Sequence, residues 1–180
     1  KQVQMSNAIL GRQIGIDAES KQLISEIQAG KKVKRSPIIA RQAMAEGQNA
    51  WGTTYVEVDI TEQHMWYFQN GNMVFETDVV TGLKGRNDTP TGLFKLLEKT
   101  PNTTLVGRIV NGKPLYRTPV SYWMRVTWSG IGFHDASWQP TFGGTRYLTN
   151  GSHGCINMPP AKAGEFYRMI QLGTPVIIHY

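Results

Sequence analysis

The chain contains a single cysteine, Cys155, in 180 residues, so no internal disulfide can form and a disulfide-stapled scaffold is excluded. Long apolar runs are also missing: nothing approaches the ~20 consecutive apolar residues of a membrane-spanning helix. Histidine is scarce, at four, and a zinc site would have to draw on His134, His153 and Cys155 without a second cysteine. Neither an RNA-type aromatic motif nor zinc-finger spacing is present, which argues against a nucleic-acid partner. Acidic residues are few, 13 against 19 Lys and Arg, for a formal net charge of +6. Residues 1–50 hold eight Lys/Arg against four Asp/Glu, and the excess peaks in Lys31-Lys32-Val33-Lys34-Arg35. That cluster suits either attraction to an anionic polymer or a solvated basic loop after a helix C-terminus. The chain opens on Lys1 without a signal-peptide pattern, so it reads as a fragment or processed form, with any membrane anchor upstream.

What is present is enough for a core, with 40% hydrophobic and 10% aromatic residues. In residues 1–50, Asp17 is a candidate cap for a helix with Leu23, Ile24 and Ile27 as its apolar stripe and Gly30 as its stop. The basic run, Ser36-Pro37, Ile38-Ile39 and a polar stretch ending at Gly47-Gln48-Asn49 follow. One helix cannot bury a core, so residues 1–50 read as the end of an upstream domain plus a connector, and 51–180 as a separate domain. From Thr53 the hydrophobic period becomes two. Strands are expected at Tyr55–Ile60, His64–Gln69, Met73–Val80, Leu93–Leu97, Tyr122–Trp128, Ile131–His134 and Thr174–Tyr180, with reversals at Asn70-Gly71 and Asn111-Gly112. One clear helix opens at Pro160, with Phe166, Met169 and Ile170 on one face, and stops at Gly173. The fold class is therefore mainly β, a sandwich or barrel-like domain with one main helix after Cys155 and a short mixed N-terminal segment.

Cys155 lies in Asn150-Gly151-Ser152-His153-Gly154-Cys155-Ile156-Asn157-Met158. A lone thiol in a glycine-rich loop is either inert packing or a nucleophile activated by a base. His153 is near in sequence. His134, at the end of an expected strand, is a more rigid mount for a base. Asp135 is a candidate to orient that imidazole, as is a backbone carbonyl, since neighbouring strand residues face opposite ways. Gly151 and Gly154 permit a tight turn that aims the N–H groups of His153, Gly154 and Cys155 at one point, as an oxyanion hole requires. A helix N-terminus facing the thiol from Pro160 would lower its pKa.

His134, followed about twenty residues later by Ser152-His153-Gly154-Cys155-Ile156-Asn157, resembles the signature of the L,D-transpeptidase catalytic domain family. Thr89-Pro90-Thr91-Gly92-Leu93-Phe94 is similar to an earlier segment of that family, and Tyr55–Ile60 to its opening hairpin. The likeness spans about 51–180, and residues 12–50 resemble the end of a peptidoglycan-binding-type domain. The resemblance implies an extracytoplasmic enzyme of the bacterial cell wall, at the outer face of the plasma membrane, with no metal and no organic cofactor. It would cross-link third-position residues of peptidoglycan stem peptides. Cys155 would attack a tetrapeptide donor, D-Ala would leave, an acceptor amine would open the thioester, and carbapenems would acylate the thiol. The resemblance gives His134 the role of base, with Ser152, His153 and Gly154 in support. Trp123, Met124, Trp138, Tyr147 and Asn157 are candidates to line the donor groove, although such residues are equally common in β cores. A carboxypeptidase or endopeptidase of the same fold, or a silent wall-binding module, are the alternative outcomes. His64 and His179, in expected strands, read as structural.

Overall fold

The computed structural model describes residues 13–41 and 51–180; the polar stretch ending at Gly47-Gln48-Asn49 lies outside them. The chain divides into two compact units, with Thr53–Tyr180 in one and Leu10–Gly52 in the other.

In the smaller unit, β1 (Gln13–Ile14) pairs with β2 (Ile39–Arg41), and α1 (Ile16–Gln28) lies between them in sequence. Gly15, not Asp17, is the N-cap; Asp17 falls in the first turn, where its charge still complements the helix dipole. Gly30 adopts φ +64°, the left-handed conformation that ends a helix. Arg35 donates to both Glu19 and Glu26, at 3.0 and 2.8 Å, so one member of the basic run is paired while its lysines stay exposed.

The larger unit is mainly β. One sheet takes the order β5 (Asn72–Asp78), β4 (His64–Gln69), β3 (Tyr55–Asp59), β13 (Pro175–His179), β6 (Gly92–Lys95). The other takes β12 (Ile156–Met158), β11 (Gly132–Asp135), β10 (Arg117–Arg125), β7 (Glu98–Val106). A small ribbon, β8 (Ile109–Val110) with β9 (Lys113–Pro114), tips the β7–β10 hairpin. The sheets face each other without closing into a barrel. Alternation produces this sandwich directly: Val56, Val58, Met65 and Tyr67 from one sheet meet Met124, Phe133, Ile156 and Met158 from the other in one buried cluster. Two helices complete the unit, the short α2 (Tyr147–Asn150) and α3 (Pro160–Met169). Phe166 of α3 is the hub, with its ring 5.3–5.7 Å from those of Phe75, Phe133 and Tyr67.

Asn70-Gly71 and Asn111-Gly112 have positive φ at both residues, the tight reversal that suits antiparallel strands. Three expected boundaries move. β10 starts at Arg117 and ends at Arg125, so Trp128 lies in a turn and is exposed. α3 ends at Met169, before Gly173, because Ile170 turns extended to enter the core. Residues 98–106, not anticipated, form β7.

Candidate active site

β11 and β12 are parallel, with His134 in register with Asn157. Residues 155 and 157 share a face of an extended segment, so Cys155 projects to the side on which His134 stands. Trp123 of β10 is the antiparallel partner of His134 and completes the row. Strand geometry therefore brings residues 21 positions apart to one cavity of about 390 Å³, lined by His134, Cys155 and Asn157 among others.

His134 is buried, and its Nδ1 lies 2.9 Å from the carbonyl oxygen of Asp135. A carbonyl can only accept, so Nδ1 carries the proton and Nε2 of the neutral ring is an acceptor. Burial lowers the His134 pKa below 6.5, outweighing the Asp135 carbonyl and charge, which raise it. The Asp135 carboxylate turns away: Oδ1 accepts from the backbone N–H groups of Ser121 and Tyr122, each at 2.8 Å. The backbone of Asp135, not its side chain, thus contacts the imidazole.

Burial pushes the Cys155 thiol up to about 11, against a backbone hydrogen bond with Gly132 that lowers it. Its S–H points to the Gly130 carbonyl at 3.7 Å, and it packs in a small cluster with Val120 and Trp123. The expected lowering by a helix N-terminus is not found; β12 carries the chain onward before α3 begins. The resting pair is a neutral thiol and a neutral imidazole.

The loop before Cys155 is pinned peptide by peptide. Gly154 adopts φ +115°, and a Cβ there would meet Ile131 Cδ1 at 2.7 Å. The Ser152 hydroxyl donates to the Cys155 carbonyl and accepts from the Gly154 N–H at 2.9 Å. Gly154 therefore drops out of the expected set of oxyanion donors, because its N–H is taken. The N–H groups of His153 and Cys155 meet no acceptor among the described residues. Thr89, 3% exposed, accepts from the Gly82 N–H at 2.9 Å and donates to the Gly154 carbonyl at 2.8 Å. In a trans peptide the carbonyl and the next N–H point opposite ways, so Thr89 fixes the direction of the Cys155 N–H.

Of the groove candidates, Trp138 and Asn157 line the cavity. Asn157 is 2% exposed, and its Oδ1 has no hydrogen-bond partner among the described residues. Trp123 packs beneath, its ring 6.2 Å from that of His134. Met124 and Tyr147 belong to the main core and line neither cavity, because their positions on β10 and α2 face inward. His153 is exposed, its ring 4.8 Å from that of Tyr116. Tyr116 was not read from the sequence. Its phenol is held protonated first by burial and then by the neighbouring Cys155. A second cavity of about 430 Å³ opens at Cys155, sharing Tyr116 and His153 with the first and adding Arg86 and Arg108. Among the described residues no group of three or more His, Cys, Asp or Glu is placed to hold a metal.

Residues 53–178 match the YkuD L,D-transpeptidase catalytic domain. The chain belongs to this family. Among solved structures, a cysteine variant of the L,D-transpeptidase of Enterococcus faecium is 39% identical, with a TM-score of 0.74 over 98% of this chain and 73% of that one. The catalytic domain of the Enterococcus faecium L,D-transpeptidase acylated by ertapenem is 46% identical, with a TM-score of 0.62 over 71% of this chain and 97% of that one. L,D-transpeptidase 1 of Mycobacterium tuberculosis is 29% identical over 75% of this chain and 54% of its own length. The chain thus spans about half the length of the curated relatives it matches first. The L,D-transpeptidase fold of this chain is mainly β, as the alternation of its strands implied.

Proposed function

We propose that this chain is a cysteine L,D-transpeptidase that links third-position residues of peptidoglycan stems. The observation that carries the reading is the shared cavity of His134 and Cys155, with Nδ1 anchored and Nε2 left as acceptor. The donor carbonyl, between an L-centre diamino acid and D-Ala, is placed at Sγ. As the thiol attacks, its proton passes to His134 Nε2, and the free N–H groups of His153 and Cys155 take the developing oxyanion. The imidazolium then protonates the departing D-Ala amine, leaving a thioester. An acceptor amine attacks that thioester, gives its proton to the same imidazole, and releases the cross-linked product and the thiol. Asn157 Oδ1, buried and unpartnered, accepts from a substrate N–H. Two cavities meeting at Sγ give the two peptide arms separate approaches, which favours transfer over hydrolysis.

The relative acylated by ertapenem supports the expectation that a carbapenem acylates Cys155 here. The substrate places the protein at the bacterial wall, outside the plasma membrane. Residues 12–50 supply the end of a peptidoglycan-binding-type domain. Incubation with a tetrapeptide stem, with and without an acceptor amine, tests the reaction. A cross-linked dimer is expected; a free tripeptide alone supports a carboxypeptidase, and no change supports a silent wall-binding module.

A further inference from the structure

The second cavity is lined by two charged side chains, Arg86 and Arg108, and by no acidic one. Neither guanidinium has an ion-pair partner among the described residues. Asp88, close by in sequence, gives Oδ1 to the Gly85 N–H at 2.9 Å and does not line the cavity. The first cavity differs: its arginine, Arg146, already donates from Nε to Gln139 at 2.6 Å.

His134 decides which part of the substrate meets these arginines. It lines the first cavity and not the second, whereas Cys155 lines both. One imidazole serving both half-reactions must protonate the departing amine and deprotonate the incoming one from the same side. Both amines therefore pass through the first cavity. The acyl arm of the donor, on the other side of the attacked carbonyl, extends into the second. A forked guanidinium on that path matches a planar carboxylate better than any neutral group.

We propose that Arg86 and Arg108 form a carboxylate-recognition subsite for the acyl arm of the donor stem. This rests on the thiol-enzyme reading above and adds the chemical class that the second cavity selects. The subsite prefers stems with a free carboxylate before the diamino acid over stems in which that group is a carboxamide. Because both arginines are exposed, the preference is modest and is screened by salt.

Two tetrapeptide donors that differ only in this carboxylate or carboxamide test the assignment, read as kcat/KM for dimer formation. The wild type is expected to favour the carboxylate by about tenfold at low ionic strength, the combined effect of two exposed charge pairs. The preference is expected to shrink as salt rises and to vanish in the R86Q/R108Q double variant, with the carboxamide donor unchanged within about twofold. Equal use of both donors by the wild type, or a preference that survives in the double variant, overturns the subsite. Labelling by saturating carbapenem separates the two readings. An adduct without a carboxylate preference overturns the subsite alone, whereas no adduct on the wild type overturns the thiol chemistry beneath it.

Discussion

Thr89→Val tests how the nucleophile loop is held. Valine keeps the shape of threonine but neither donates nor accepts, so the Gly82 N–H and the Gly154 carbonyl both lose their partner in a buried setting. Each unpaired buried group costs about 1–3 kcal/mol, so a stability loss of about 2–5 kcal/mol is expected by thermal or urea unfolding. Freed from Thr89, the peptide between Gly154 and Cys155 can rotate, and the Cys155 N–H leaves its aim at the oxyanion. Losing one such donor costs about 3–4 kcal/mol, a rate loss of about 10²–10³-fold. Carbapenem acylation builds an oxyanion and should fall by that factor. Alkylation by iodoacetamide is a displacement without an oxyanion, and should stay within about twofold of wild type because Sγ keeps its packing. Thr89→Ser restores both bonds and should recover acylation. An equal fall in both rates would mean that the thiol itself has moved, and no fall in either would leave Thr89 without the proposed role.

Further outcomes follow from the same geometry. With the thiol at about 11, alkylation should climb through the alkaline range toward that value, whereas a cysteine at its ordinary 9.0 would level off earlier. Carbapenem acylation should hold at and somewhat below pH 6.5, since burial keeps His134 neutral there, and His134→Gln should lower it by about 10²–10⁴-fold. His179 donates from Nε2 to Glu57 at 3.0 Å and from Nδ1 to the Tyr180 carbonyl, with Asp59 nearby, and its pKa is raised above 6.5, chiefly by the Glu57 hydrogen bond. Its stabilisation is full below 6.5 and is lost as pH rises through the higher folded value; melting temperatures against pH should show that loss in wild type and not in His179→Gln. Phe166→Ala, removing the fully buried hub of the sandwich, should cost about 3–5 kcal/mol in urea unfolding.

Much of the sandwich was legible because one face of each strand is buried, and alternation marks that face in β3 and β4. β7 was not legible: its residues are mostly exposed or half-buried, and Pro101 and Asn102 interrupt it, so it carries no alternating signal. With that strand unread, the hairpin bearing Tyr116 and Arg108 could not be placed over the thiol. Cys155, His134, Ser152 and Asn157 stood out through spacing and chemistry. Thr89 did not, since its effect depends on a contact 65 residues away that only the fold creates. The thiol pKa was misjudged for a similar reason, because nearby motifs suggested activation while tertiary burial dominates. Met124 and Tyr147 show the converse: sequence closeness to a motif says nothing about which face a side chain takes.

Peptide mapping after exposure to a carbapenem tests the central claim most directly. A single adduct on the peptide carrying Cys155, absent from Cys155→Ala, is the expected result. An adduct elsewhere, or one that persists in Cys155→Ala, would contradict the assignment of Cys155 as nucleophile.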